Sequence, residues 1–141
     1  MKHNSVLMIE DDPTFVRLSF AMLDSYRRDG HQFPDMDWEP DVYEALNSLR
    51  QHPNRRVVLL DIHMPQMSGY DVLKRMRADP VLKTIPSIIL TSSASGRSSE
   101  KIAKDEGAVS YLKKPITIQE FYSLFNTIRN LWPVIRGEPP P

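Results

Sequence analysis

The sequence has 141 residues and no cysteine, and its 18 lysines and arginines balance 18 aspartates and glutamates, for a formal net charge of +0. This length fits one domain with its own core, and the lack of cysteine excludes disulfides and thiolate metal sites. Balanced charge and scattered basic residues give no general attraction to nucleic acid or to an anionic membrane. No apolar run approaches a membrane span and no signal peptide is visible, so we expect a cytoplasmic protein.

Short apolar runs alternate with amphipathic stretches, a pattern typical of parallel strands connected by helices. In chain order, the predicted strands are Ser5–Ile9, one within Phe33–Glu39, Arg56–Asp61, Pro86–Thr91 and Val109–Leu112. The predicted helices are Pro13 to Gly30, Asp41 to Leu49, Gly69 to Arg77, Ser98 to Glu106 and Thr117 to Trp132. Because crossovers between parallel strands are right-handed, this alternation predicts a doubly wound α/β sheet of five strands with five helices.

Several polar residues mark where the predicted helices begin and end. Asp12 followed by Pro13 is typical of an N-cap with proline at the first helical position. Asp41 and Glu44 have the spacing of a capping box. Gly30 and Gly107 follow helical stretches, where glycine commonly ends a helix.

Charged and polar residues also follow the predicted strands at one edge of the sheet. Glu10-Asp11-Asp12 follow the first strand, Asp61 ends the third, Thr91 ends the fourth and Lys114 follows the fifth. Ligands bind outside the carboxyl ends of such strands. Crowded carboxylates repel one another unless a cation intervenes, and Mg²⁺ prefers oxygen ligands. A carboxylate beside Mg²⁺ and a lysine can attack phosphorus, so the pattern predicts an aspartyl phosphate site.

Four segments, in order, resemble the signature segments of response-regulator receiver domains. They are Ile9-Glu10-Asp11-Asp12, Leu60-Asp61-Ile62-His63-Met64-Pro65-Gln66-Met67-Ser68-Gly69, Leu90-Thr91-Ser92-Ser93 and Tyr111-Leu112-Lys113-Lys114-Pro115. The resemblance covers residues 5 to about 132. It implies a flavodoxin-like sheet of order 2-1-3-4-5, a receiver domain over residues 1–132, and a proline-rich tail over residues 133–141.

The resemblance also implies a role for each residue of the site. Asp61 is the expected phosphoacceptor, with Thr91 bonding the phosphoryl oxygens and Lys114 pairing with them. Asp11 is expected to bind Mg²⁺ directly and Glu10 largely through water, with Asp61 and the backbone carbonyl of His63 as further ligands. Tyr111 is expected to change rotamer in response to Thr91, and the Lys114–Pro115 peptide bond to be cis. Such a protein catalyses its own phosphoryl transfer and dephosphorylation and does not turn over external substrates.

Other interpretations of these residues stay open at this point. Asp61 and Asp12 could simply cap helices, and the His63 ring could bind a metal, although His3, His31 and His52 show no ligand spacing. An aspartyl-nucleophile phosphatase of the haloacid-dehalogenase type would need a second acid where His63 stands. A flavin carrier of the same fold would need a phosphate loop where Glu10-Asp11-Asp12 would repel phosphate. A receiver-like scaffold that is never phosphorylated is the third alternative.

The expected partners are other proteins. The segment from Arg77 to Pro86 and the closing Asn130-Leu131-Trp132 resemble single-domain regulators paired with bacterial and cyanobacterial phytochromes. The resemblance implies a sensor histidine kinase as phosphodonor, with a phytochrome-type kinase as one candidate. No output domain follows in this sequence, so we expect readout through a partner or a homodimer. Leu124 and Leu131 are predicted to extend the apolar face of the last helix beyond the core, either as a dimer interface or under Pro133 to Ile135.

Overall fold

The computed structural model describes residues 6–53, 57–91 and 97–136, which form five strands and five helices in strict alternation. The strands are β1 (Val6–Ile9), β2 (Met36–Glu39), β3 (Val57–Asp61), β4 (Ser87–Thr91) and β5 (Ser110–Lys113). The helices are α1 (Pro13–Arg28), α2 (Val42–Gln51), α3 (Gly69–Ala78), α4 (Arg97–Asp105) and α5 (Ile118–Arg136). Ser5 and Arg56, which were predicted to begin strands, lie outside the described residues.

The strands form one parallel sheet in the order β2-β1-β3-β4-β5, which confirms the predicted topology. Ile9 pairs in register with Leu60, and Asp61 pairs with Leu90. The chain leaves β1 and β3 in opposite directions along the sheet, so their carboxyl ends border the crevice where ligands of such folds bind.

Helices cover both faces of the sheet, and every strand except the edge strand β2 contributes apolar residues to both cores through its alternating side chains. One core contains Leu7, Ile9, Val58, Leu60 and Ile89 together with apolar residues of α2, α3 and α4. The other contains Val6, Met8, Leu59, Ile88 and Leu90 together with apolar residues of α1 and α5. Burial on both faces explains why the central strands are continuous apolar runs. Each fully buried leucine or isoleucine contributes roughly 1.5–3 kcal/mol to stability.

The predicted helix starts are confirmed, with one difference at α2. Asp12 accepts a hydrogen bond from the backbone N–H of Thr14 at 3.0 Å, and Asp41 accepts one from Glu44 at 3.0 Å. The reciprocal bond of a capping box would come from Glu44, but the backbone N–H of Asp41 donates instead to Glu39 at 3.1 Å. Glu39 ends the preceding strand and lies within reach, so it provides the second half of the cap.

Two expectations at the C-terminal end of the chain are corrected. α5 continues past Trp132 to Arg136, so Pro133 to Ile135 are helical and do not fold back over the helix. Proline has a helical φ, and at position 133 it removes only one intrahelical hydrogen bond near the helix end. Leu124 does not extend the apolar surface, because it is only 5% exposed and packs in the α1–α5 core, while Leu131 is partly buried against the same core.

The expected cis bond between Lys114 and Pro115 is also wrong, since the described residues contain no cis peptide bond. The trans preference of a bond before proline is only about 0.5–1 kcal/mol, so either isomer fits a turn of this kind. No helix within the described ranges is long and apolar enough to cross a membrane.

A single arginine connects α3 to the C-terminal end of α4. The guanidinium of Arg77 donates to the carbonyl of Lys83 at 2.6 Å, to the carbonyl of Glu106 at 3.2 Å and to that of Gly107. Gly107 has φ +101°, and a Cβ there would lie 1.8 Å from Nε of Arg77. Glycine is therefore required both for the left-handed turn and for the space that the guanidinium fills.

We predict that Arg77→Ala lowers the free energy of unfolding by about 1–3 kcal/mol, because three carbonyl groups lose a charged donor. Urea denaturation measures the change. Arg75→Ala is the matched control, since Arg75 lies on the same helix and contacts the exposed ring of Tyr43 at 5.7 Å. Equal midpoints for the two variants would show that the Arg77 contacts contribute nothing specific.

Candidate functional site

Four strand ends bring the predicted site residues to one edge of the sheet. Glu10 follows β1, Asp61 ends β3, Thr91 ends β4 and Lys114 follows β5. Carboxylate oxygens of Glu10, Asp11 and Asp61 all lie within 4.8 Å of one another. Glu10, Asp61 and Thr91 are buried, whereas Asp11 is exposed to solvent. The sheet thus brings together residues as far apart in the chain as Glu10 and Lys114.

Lys114 is the cation of the cluster. Its Nζ lies 2.6 Å from Oε1 of Glu10 and 3.4 Å from Oδ2 of Asp61, and its side chain is 14% exposed. Its backbone N–H donates to the carbonyl of Thr91 at 2.7 Å, which connects the end of β5 to the end of β4. The ammonium is therefore placed by the sheet and by two carboxylates together.

The electrostatics of the cluster centre on Glu10. Burial, together with the negative charge of Asp61, raises the pKa of Glu10 to about 7 against the opposing hydrogen bond and charge of Lys114. Burial also lowers the pKa of Lys114, but the hydrogen bond and charge of Glu10, with those of Asp61, outweigh it and raise the pKa. Lys114 thus stays protonated. Near neutral pH, a further positive charge beside the cluster would favour the ionised form of Glu10.

The donor set fits a hard divalent cation. The three carboxylates are oxygen ligands, and exposed Asp11 leaves one side of the cluster open to a hydrated ion. Glu10 is already engaged, since Oε1 accepts from Lys114 and Oε2 accepts from the backbone N–H groups of Asp11 and Asp12 at 3.0 and 3.2 Å. Asp11 and Asp61 therefore have more free acceptor capacity for direct ligation than Glu10 has.

The loop after Asp61 is held tightly against the end of β3. Oδ1 of Asp61 accepts the backbone N–H of His63 at 3.2 Å, and Gly69 donates to the carbonyl of Ile62 at 2.9 Å. A Cβ at Gly69 would lie 2.7 Å from the carbonyl oxygen of Asp61. Only glycine lets α3 begin this close to the candidate phosphoacceptor.

Gln66 connects this loop to α2. Its side-chain oxygen accepts the backbone N–H of Val42 at 2.7 Å, and its amide nitrogen donates to Asp41 at 2.9 Å. These bonds satisfy a free N–H group in the first turn of α2 and hold the segment between Asp61 and α3 in place.

Thr91 and Tyr111 are the candidate switch residues. Thr91 is 2% exposed at the end of β4, and Tyr111 is partly buried against the core that contains α2, α3 and α4. The hydroxyl of Tyr111 is buried and has no hydrogen-bond partner among the described residues. Ser92 and Ser93, part of the segment that carries the resemblance, lie outside those residues.

Two aromatic contacts of the site were not predicted. The indole N–H of Trp38, on the edge strand β2, donates to the backbone carbonyl of Glu10 at 2.7 Å. The ring of Phe15, on α1, lies 4.7 Å from Nζ of Lys114. Neither Phe15 nor Trp38 is among the predicted site residues. Nothing in the local sequence signals either contact, because the partners are 28 and 99 positions away.

Comparison with known proteins gives the family. Residues 6–126 match the family model described as the response regulator receiver domain. The chain is 27% identical over 132 residues to a probable methanogenesis regulatory protein, FilR2, of Methanothrix harundinacea, covering 90% of this chain and 82% of that protein. It is 41% identical over 83 residues to a probable cyclic di-GMP phosphodiesterase of Vibrio cholerae, covering 59% of this chain and only 18% of that protein.

A solved structure extends the likeness over almost the whole chain. The phosphorylated cyanobacterial phytochrome response regulator RcpA superposes with a TM-score of 0.74 at 25% identity, covering 99% of each chain. The match to the family model spans most of the sequence and includes every strand of the sheet. The chain therefore belongs to the family of response-regulator receiver domains of two-component systems.

Proposed function

We propose that this chain accepts a phosphoryl group on Asp61 from a sensor histidine kinase and signals through the resulting change of shape. The main support for the proposal is the arrangement of charged groups around Asp61. Its carboxylate lies at the end of β3, within 4.8 Å of oxygens of Glu10 and Asp11 and 3.4 Å from the ammonium of Lys114. Receiver domains are response regulators and not turnover enzymes, and aspartate phosphorylation with Mg²⁺ is general to the family.

The proposed reaction is a single displacement at phosphorus. A carboxylate oxygen of Asp61 forms the new bond to phosphorus while the phosphorus–nitrogen bond of the donor breaks, and the histidine nitrogen keeps the electron pair and takes up a proton. Lys114 offsets the negative charge of the phosphoryl oxygens, and its contacts with Glu10 and Asp61 place its ammonium beside the acceptor. Asp11, Asp61 and the carbonyl of His63 would hold Mg²⁺, with Glu10 acting largely through water. When bound, Mg²⁺ supplies further positive charge for the phosphoryl oxygens.

The proposed response involves Thr91 and Tyr111. The Thr91 hydroxyl would bond the phosphoryl group, and Tyr111 would then change rotamer and alter the face formed by α4, β5 and α5. The Tyr111 hydroxyl has no hydrogen-bond partner among the described residues, so no hydrogen bond to those residues has to break when the ring moves. Phosphorylation would shift an existing equilibrium between two positions of this ring.

The proposed partners are a kinase and a second copy of the chain. RcpA is a phytochrome response regulator, which supports a phytochrome-type histidine kinase as one candidate donor. The proposed homodimer uses α5, where a cavity of about 190 Å³ is lined by residues that include Leu112, Leu124 and Thr127. This cavity is the basis for the proposed interface, because Leu124 does not protrude from α5. We propose a cytoplasmic location and no binding to nucleic acid or membrane, in keeping with the balanced charge.

We predict that wild-type protein takes up one phosphoryl group from acetyl phosphate in the presence of Mg²⁺, and that Asp61→Asn takes up none. The amide lacks the nucleophilic oxygen but keeps the shape of the side chain, so circular dichroism should show an intact fold. Intact-mass spectrometry measures the uptake. An Asp61→Asn protein that is labelled as fully as wild type would overturn the assignment.

We predict that Asp11→Asn abolishes the rise in melting temperature that Mg²⁺ gives the wild type. Without metal the variant should be more stable by about 1 kcal/mol, because one charge leaves a crowded acidic group. Asp12→Asn is the matched control, since Asp12 caps α1 and asparagine caps a helix equally well. If Asp11→Asn responds to Mg²⁺ as strongly as Asp12→Asn does, Asp11 is not a ligand.

We predict that Thr91→Ala is still phosphorylated on Asp61 but no longer couples phosphorylation to association. Sedimentation velocity with the phosphoryl analogue beryllofluoride should show a dimer for wild type and a monomer for the variant. A wild type that stays monomeric in both states would end the dimer proposal. A variant that dimerises normally would show that the coupling does not run through Thr91.

A further inference from the structure

We propose that Phe15 is a positioning residue for Lys114, holding the lysine ammonium over the face of its ring during phosphoryl transfer to Asp61. The inference rests on the proposed function and adds to it a residue outside the polar cluster. It starts from the contact between Nζ of Lys114 and the ring of Phe15, whose centroid is 4.7 Å away. This distance is within the roughly 6 Å over which an aromatic face attracts a cation.

Within the part of the chain that the structure describes, the ammonium of Lys114 contacts the carboxylates of Glu10 and Asp61 and the ring of Phe15. Because the lysine side chain is only 14% exposed, water can replace little of what the ring provides. The attraction of a cation to a ring is stronger when both are withdrawn from solvent.

The ring of Phe15 is held in place by the core. Phe15 is 8% exposed and stacks on Phe121, with centroids 6.0 Å apart and planes inclined by 27°. Phe121 is fully buried and packs in turn against Phe125 at 6.2 Å. The start of α1, two residues before Phe15 in the chain, is fixed by the Asp12 cap. Phe15 is therefore a fixed platform on which a long, flexible lysine side chain is ordered.

A ring suits this position better than another carboxylate would. In the proposed reaction the ammonium of Lys114 has to turn from Glu10 toward the incoming phosphoryl oxygens. A further anion would hold the ammonium back, whereas the ring face attracts a cation without a fixed hydrogen-bond direction. Phe15 thus limits where the ammonium can go and still lets it change its anionic partner.

Phe15 also lines a cavity of about 290 Å³ beside the site, together with Leu18 and Ile116, which are 40% and 69% exposed. A protein donor could contact this surface, and a substitution at Phe15 would then alter docking as well as chemistry. The test therefore uses acetyl phosphate, a small donor that needs no docking surface.

The decisive variant is the full chain with trifluorophenylalanine at position 15. Fluorination keeps the shape of the ring and weakens the negative potential of its face. If Phe15 acted through packing alone, the rate of phosphorylation would not change. We expect the rate constant of phosphorylation at saturating Mg²⁺ to fall about 5-fold. Phe15→Leu should lower the rate similarly, and Phe15→Tyr should restore it. Mg²⁺ affinity, measured by calorimetry, should be unchanged in all of these variants, because these substitutions leave the carboxylate ligands intact and alter the contact with the lysine.

Phe33→Leu is the matched control, since Phe33 is buried in the same aromatic core and its ring contacts Tyr26 and Phe125. It should reduce stability and leave the rate of phosphorylation unchanged. A trifluorophenylalanine variant that reacts as fast as wild type would overturn the inference, even where Phe15→Leu folds poorly. A wild type that accepts no phosphoryl group would overturn the proposed function and this inference together.

Discussion

The structure of the site depends on one interaction, the placement of the Lys114 ammonium between two buried carboxylates. Glu10 and Asp61 come from neighbouring strands, and the parallel register of β1 and β3 brings them to the same height at the edge of the sheet. Burial and the negative charge of Asp61 raise the pKa of Glu10, whereas the hydrogen bond and charge of Lys114 lower it. Lys114 offsets one charge only, and Asp11 adds another, so the cluster keeps an excess of negative charge. A bound divalent cation would offset that excess.

Hydrogen bonds and close packing around this cluster hold its residues in place. Gly69 lets α3 approach the carbonyl of Asp61, and Gln66 connects the intervening loop to the start of α2. On the other side, Trp38 bonds the carbonyl of Glu10 from the edge strand. Reaction by attack on phosphorus requires little covalent chemistry from the protein, so accurate placement of charges is most of what the fold can provide.

The comparisons place the chain in a family whose members differ in what surrounds the receiver. The match takes in 82% of the FilR2 protein but only 18% of the Vibrio cholerae phosphodiesterase. The same domain therefore occurs in proteins of very different size.

The sequence by itself determined the alternation of strands and helices, the order of the sheet through the resemblance, and the residues at the strand ends. These follow from local patterns: apolar runs of strand length, caps such as Asp12 and Asp41, and four motifs in order. Helix ends depend on weaker local preferences, and α5 continues past Pro133 to Arg136, since proline has a helical φ and removes only one intrahelical hydrogen bond. Only the tertiary structure decided that Leu124 is buried, that Lys114–Pro115 is trans, and that Phe15 lies against Lys114. Each of these depends on which distant side chains meet across the packed layers, and no local pattern in the chain carries that information.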